Sequence, residues 1–273
     1  MAKSVGLATG QKRFNRDVVV ITGGLGLVGL DSAQLLAEQG ASVCLVDIVA
    51  KEDIGHFPID LAPYEYVKCD VSDSEEVREA VETIENTIGP IRGLFNNAAT
   101  KTSKIDDFFA KLEEYSVSTW NEIMNTNLLG MFLMGREVGT RMANRREGAI
   151  VQTASIYGST MGPDQRIYEG SMYLNRSISS PVSYTVSKAG VHGLTNHFAT
   201  YWGHTGVRVN TISPGGIHSG QNDEFVAKYS ARVPLGRMAD VREVSHAASF
   251  LLSKEASYIT GTNLMVDGGL SAW

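Results

Sequence analysis

The sequence predicts an α/β fold, a single doubly wound domain whose parallel sheet of about seven strands carries helices on both faces. Three observations predict it. Short β-branched runs, apolar throughout, alternate with longer helical stretches, and strands of that kind need cover on both faces. A glycine-rich turn joins the first strand to the first helix. No segment rich in Pro, Gly or Ser divides the 273 residues, and no repeat or low-complexity tract appears, so one domain over residues 17–273 is the economical reading. Residues 1–16 read as a flexible lead-in.

Taken in order, Val18 to Thr22 reads as a buried strand and Leu27 to Gln39 as a helix ended by Gly40. Ser42 to Asp47 and Tyr64 to Cys69 are the next strands. Ser74 to Ile88 is a helix stopped at Gly89-Pro90, and Ile91 to Asn96 is strand four. Thr119 to Arg145 reads as one long helix, followed by a strand from Ala149 to Ser155. Pro181 to Trp202 is helical, Val207 to Ile212 a strand, Val241 to Ser253 a helix and Asn263 to Val266 the last strand. Two stretches break the rhythm: Thr100 to Ser118 and the connection from Tyr157 to Val182. Loops of that length inside a domain are usually functional.

Charge and composition narrow the function. A net charge of −6 and a pI near 5.5 argue against a nucleic-acid binder and against docking on anionic lipid. The longest apolar stretch, Val18 to Leu30, is 13 residues with four glycines, too short to cross a bilayer. No apolar h-region follows the N-terminal cations, so a cytoplasmic protein is expected. Cys44 and Cys69 are too few for a disulfide framework and read as buried reduced thiols. No HExxH, metal-spaced cysteine pair or GxSxG occurs, so no metal site or hydrolase elbow is expected.

The first strand runs into Thr22-Gly23-Gly24-Leu25-Gly26-Leu27-Val28-Gly29. Glycine there allows a tight turn and close approach of the backbone to a pyrophosphate seated at the helix N-terminus. Glycine clusters also make plain turns, but here a strand precedes, a helix follows, and Asp47 ends the next strand 18 residues after Gly29. A carboxylate at that place accepts bonds from a ribose and repels a 2′-phosphate. No cation lies in the loop or directly after Asp47, Lys51 being the first, so NAD is expected over NADP. Asp70 and Val71, after strand three, suit the adenine edge, though an Asp there also serves as a helix cap.

The ordered set of the glycine turn, Asn96-Asn97-Ala98-Ala99, Asn127, Ser155, Tyr184-Thr-Val-Ser-Lys188, Pro214-Gly215 and Val266-Asp267-Gly268-Gly269 resembles the short-chain dehydrogenase/reductase family over almost all of Asp17 to Gly269. The resemblance implies a Rossmann-type NAD-dependent oxidoreductase. Two departures stand out. The turn reads TGxxGxxG where family members of this length more often carry TGxxxGxG. Ser155 and Tyr184 are 29 residues apart where about a dozen is usual, so residues 161–180 form an insertion that must loop out. A softer likeness, carried by Pro163-Asp-Gln-Arg-Ile-Tyr-Glu-Gly, Ser213-Pro-Gly-Gly-Ile and the chain end, is to oxidoreductases of bacterial surface-sugar and flagellin-glycan pathways, legionaminic-type biosynthesis among them.

Tyr184 and Lys188, four apart on a predicted helix, share one face. A free phenol titrates near 10, and a nearby ammonium lowers that value. As the resemblance implies, Tyr184 exchanges a proton with the substrate oxygen, Lys188 also binds the nicotinamide ribose, Ser155 holds the substrate oxygen and Asn127 seats a water linking Lys188 to solvent. Gly23, Gly26, Leu27 and Gly29 would meet the cofactor, with Asn96, Asn97 and Ala98 on its adenosine and ribose side. Pro214, Gly215 and Ile217 would shape the nicotinamide pocket, and Ser219 takes the place of a carboxamide-bonding Thr. Polar residues of the insertion favour a polyhydroxy or anionic substrate, with Arg166, Tyr168 and Glu169 as contacts and His218 facing them. The alternatives are a 3-oxoacyl or other ketone reductase of lipid metabolism, and a dinucleotide-sensing scaffold without turnover. The latter typically lacks Ser, Tyr or Lys at the active site, and this chain has all three. A homodimer or homotetramer is expected, because the helix from Thr119 carries apolar residues on more than one side (Trp120, Ile123, Met124, Leu128, Leu129, Phe132 and Met134).

Overall fold

The computed structural model describes residues 12–56, 61–102, 104–173 and 175–273. In chain order the elements are β1 (Val18–Thr22), α1 (Leu27–Glu38), β2 (Ser42–Asp47), β3 (Glu65–Lys68), α2 (Ser74–Thr87), β4 (Ile91–Asn96), α3 (Ile105–Phe108), α4 (Val117–Met124) and α5 (Gly130–Arg145). There follow β5 (Gly148–Thr153), β6 (Met172–Tyr173), β7 (Arg176–Ser177), α6 (Val182–Trp202), β8 (Val207–Pro214), α7 (Asp223–Ser230), α8 (Val241–Leu252) and β9 (Asn263–Val266). Seven strands form one sheet in the order β3-β2-β1-β4-β5-β8-β9, every neighbouring pair parallel. This is the doubly wound Rossmann-type α/β fold that the sequence predicts.

The strand side chains show why both faces are covered. Val18 and Val20 belong to one core with Ile84, Leu133 and Trp202, while Val19 and Ile21 belong to another with Leu36, Val244 and Leu251. β2 divides in the same way, Cys44 and Val46 facing α2, α5 and α6, and Val43 and Leu45 facing α1 and α8. Period-2 alternation sends successive residues to opposite faces, and each fully buried aliphatic contributes about 1.5–3 kcal/mol. Strand order reverses between β1 and β4, so the crevice at their carboxyl ends is where a ligand belongs.

The structure departs from expectation at several places. Residues 1–11 of the expected flexible lead-in lie outside the described residues, but its last part is docked. Phe14 is buried, its N–H donates to Gln39 O at 3.0 Å, and Arg13 pairs with Glu255 at 2.8 Å. The long helix from Thr119 is interrupted by a π turn at Asn125–Leu129, between α4 and α5. β5 ends at Thr153, so Ser155 sits just beyond the strand rather than in it. The insertion 161–180 is a built element: Asp164 caps a 3-10 turn (Gln165–Tyr168), the two-stranded β6–β7 ribbon follows, and buried Ile167 packs with Phe225 and Tyr229 of α7. α7 itself went unforeseen.

Candidate active site

Thr22, the last residue of β1, ties the strand ends together. Its Oγ1 accepts from the N–H groups of Asn97 (2.9 Å) and Ala98 (3.0 Å) and donates to Asn96 Oδ1 (3.2 Å). Asn96, expected beside the cofactor, is fully buried and spent on the scaffold, its amide donating to Met131 O and Gln152 Oε1. Asn97 and Ala98 are the pair that lines the crevice, a cleft of about 630 Å³ that also takes in Gly23, Gly26, Leu27, Asp47, Asp70 and Val71.

The glycine turn fits a dinucleotide. Gly23 has φ +63°, and a Cβ there would stand 2.9 Å from Ala98 Cα; a Cβ on Gly29 would stand 2.3 Å from Gly23 O. Both positions therefore admit only glycine without a shift of backbone. α1 begins after Gly26 with no side-chain cap, and first-turn N–H groups have no acceptor within their own helix. Together these make a backbone-lined seat for a pyrophosphate. At the end of β2, Asp47 accepts from Leu25 N at 3.0 Å through one oxygen and from Ile48 N at 2.9 Å through the other. Each oxygen keeps a lone pair for a ribose hydroxyl. Exposed Ile48 follows it, an apolar side chain at the place where a 2′-phosphate would call for a cation. Asp70 is not the cap of α2. That is Asp73, which accepts from Glu75 N and Glu76 N, while Asp70 braces its own turn through Ser72.

The three catalytic candidates converge despite their spacing. The Ser155 hydroxyl stands close enough to the Tyr184 phenol to act on its proton affinity, and Ser155 Oγ accepts from Tyr157 N at 3.2 Å. Lys188 is buried one turn further along α6, its Nζ donating to Thr153 O at 2.8 Å and lying 5.9 Å from the centroid of the Tyr184 ring. Burial pushes the Tyr184 phenol above its ordinary range, opposed by the nearby Ser155 hydroxyl, and holds the Lys188 amine down at about 8. The expected lowering of the phenol by a neighbouring ammonium is therefore not what this geometry gives. Desolvation is the larger effect on both groups, and the amine is bonded to a carbonyl of β5. Asn127 sits in the π turn, a feature frequent at functional sites, and is fully buried. Its Oδ1 accepts from Thr100 N at 2.9 Å and its amide reaches Ser187 at 3.5 Å, which locks the loop after β4 to α6.

Beside Tyr184 opens a pocket of about 320 Å³ walled by Phe108, Tyr157, Tyr168, Tyr173 and Phe225. Of the expected substrate contacts, Tyr168 is there, its hydroxyl donating to Tyr157 at 3.1 Å. Arg166 is not: it is exposed and holds Asp164 at 2.8 Å. Exposed Glu169 offers its backbone carbonyl to Lys228, and His218 is exposed with its N–H bonded to Ala239 O. The charges of the insertion thus face solvent and one another, so its composition says little about the substrate. Ser219 does line the pocket. Pro214 lies beside the Ser155 loop, accepting from Ile156 N at 3.2 Å, whereas Gly215 opens into a neighbouring recess with Tyr229 and Asp267, and half-buried Ile217 is bridged to Ala239. Sequence reasoning missed Tyr157, which the turn after β5 brings into the pocket and which no strand or helix periodicity marks.

Comparison with known proteins matches residues 17–173 to a family described as short chain dehydrogenase, and residues 167–271 to one described as enoyl-(acyl carrier protein) reductase. The chain is 32% identical to cis-4-hydroxycyclohexanecarboxylate dehydrogenase of Sinomonas cyclohexanicum, covering 95% of this chain and 98% of that one. It is 32% identical to a 3-oxoacyl-[acyl-carrier-protein] reductase of Vibrio cholerae (93% and 96% covered) and 31% identical to gluconate 5-dehydrogenase of Gluconobacter oxydans (92% and 93%). Among solved structures it resembles a short-chain dehydrogenase from Leptospira borgpetersenii with bound NAD+, at TM-score 0.82, 30% identity and 94% coverage of both chains.

Proposed function

The chain belongs to the short-chain dehydrogenase/reductase family, and within it we propose an NAD(H)-dependent enzyme that interconverts a secondary alcohol and a ketone on a small polar, sugar-derived substrate. The observation that carries the reading is Tyr184 in the wall of the aromatic pocket, with the Ser155 hydroxyl near its phenol and Lys188 buried one turn along the same helix. When bound, the nicotinamide supplies or receives the hydride. The rest is the work of this chain. Tyr184 Oη holds the proton that passes to or from the substrate oxygen, and Ser155 Oγ fixes that oxygen by a second hydrogen bond. Lys188 would hold the nicotinamide ribose through its hydroxyls. Asp47 is the basis for NAD over NADP. Aromatic faces beside Tyr184 suit the C–H faces of a polyol or ring.

A second reading, a 3-oxoacyl reductase, has its own support in the aromatic walls and in the Vibrio cholerae relative. Assembly as a homodimer or homotetramer and a cytoplasmic setting are part of the same proposal. Exposed Val117, Leu129, Val186 and Tyr201 on and between α4 and α6 support the first. Absorbance of NADH and NADPH over a panel of sugar acids, alditols, cyclic ketones and acetoacetyl thioesters tests the reading. Turnover of polyols or sugar acids with NAD(H) is the expected result; preference for the thioester, or for NADP(H), contradicts it.

A further inference from the structure

The pocket beside Tyr184 has apolar walls and a single cation. Its polar lining besides the tyrosines is Thr100, Ser179, Ser180, Ser219, Gln221 and Lys101, and no Asp or Glu is among the described residues that form it. Lys101 lies five residues beyond the end of β4, and its Nζ stands 4.2 Å from the centroid of the Tyr173 ring. Tyr173 belongs to the insertion, so the amine is turned toward the substrate side of the loop. The neighbouring charges are already matched: Arg166 with Asp164, Arg176 with Asp106, Lys228 with Glu224. Lys101 has no carboxylate partner among the described residues. A ring quadrupole orients an ammonium without neutralising it. In a chain of net charge −6, an anionic substrate needs such a local cation to enter an apolar-walled pocket.

We propose that Lys101 is the anion-binding residue of this pocket, and that the compound presented to Tyr184 is a small hydroxy or keto acid whose carboxylate pairs with Lys101 while its skeleton lies against Tyr173 and the neighbouring rings. The proposal rests on the reading of Tyr184 as the residue that works on the carbinol. One ammonium balances one carboxylate, whereas a phosphomonoester carries −1.5 to −2 and would leave charge uncompensated in the pocket. Lys101 also borders the dinucleotide cleft, so the rival role is a contact to the cofactor.

The experiment uses the full chain saturated with NADH, with benzoate, benzamide and phenyl phosphate titrated by calorimetry into wild type, Lys101→Gln and Lys101→Arg. NADH affinity of each protein is measured separately by fluorescence. Benzoate is expected to bind wild type about threefold or more tightly than benzamide, as an ion pair with an exposed lysine would give. Lys101→Gln should erase that preference, Lys101→Arg should keep it, and NADH affinity should stay within about twofold throughout. Equal binding of benzoate and benzamide, binding of neither, or preference for phenyl phosphate overturns the proposal. So does a Lys101→Gln variant whose loss falls on NADH instead. A wild type that does not bind NADH is a different result: it defeats the functional reading and takes this proposal with it.

Discussion

The two halves of the site are made of different materials. The dinucleotide half is built from backbone: a glycine turn, a helix N-terminus, the ends of β1, β2 and β4, and one carboxylate already tied to the main chain. The substrate half is built from side chains on several separate segments, among them the stretch from β4 through α3, the turn after β5, the insertion, α6 and α7 with the loop before it. Backbone seats are set by where glycine is indispensable, and they recognise what every dinucleotide shares. Side-chain walls can change one ring at a time, and they decide which alcohol or ketone is accepted.

That contrast can be broken at its most rigid point. Gly29→Ala puts a methyl group 2.3 Å from Gly23 O, and the turn must move to admit it. Overpacking of this kind costs about 1–3 kcal/mol, so NADH affinity should fall by about ten- to a hundredfold. Titration at constant fold, checked by circular dichroism, measures it; unchanged affinity would mean that the turn is not the seat. Next in size is the specificity switch. Asp47→Ala combined with Ile48→Arg removes the carboxylate and adds a cation, and should move the ratio of kcat/KM for NADH and NADPH about tenfold or more toward NADPH. Equal values in wild type would remove the case for Asp47.

Lys188 links the halves and shows what function costs the fold. Its amine is held at about 8 in the folded chain, below the free lysine value, so folding works against its charge. That unfavourable contribution is full below about pH 8 and fades as pH rises toward the unfolded value near 10.4. Lys188→Met should abolish turnover yet raise Tm at pH 7 by several degrees, with the gain shrinking by pH 10. A variant less stable than wild type at pH 7 would show that the amine contributes net attraction. The smallest effect belongs to the surface of the insertion: Arg166→Ala should leave KM and kcat within about twofold, because its guanidinium holds Asp164 and faces solvent. A large rise in KM would return Arg166 to the pocket.

The same contrast explains what could be read from the chain beforehand. β1, the glycine turn and Asp47 were legible because they are local: a buried run, a turn that only glycine can make, and a carboxylate one strand later. Asn127, Ser155, Tyr184 and Lys188 were legible through family resemblance, and the meeting of Ser155 with Tyr184 across 29 residues needed the structure. Asn96 was misplaced because strand-end asparagines look alike until burial separates Asn96 from Asn97. The π turn at Asn125–Leu129 leaves no mark on apolar periodicity. The insertion misled most. Its composition is polar, but Asp164 turns Arg166 outward two residues on, Arg176 is drawn to Asp106, and the rings of Tyr168 and Tyr173 take the inner face.

The central claim is that Tyr184 moves the proton while the backbone-built half holds the cofactor. Tyr184→Phe separates the two most directly, with turnover and NADH affinity measured on the same preparation. The account predicts a loss in kcat of at least about 10²-fold with the dissociation constant of NADH unchanged within about twofold. Turnover close to wild type in that variant would contradict it.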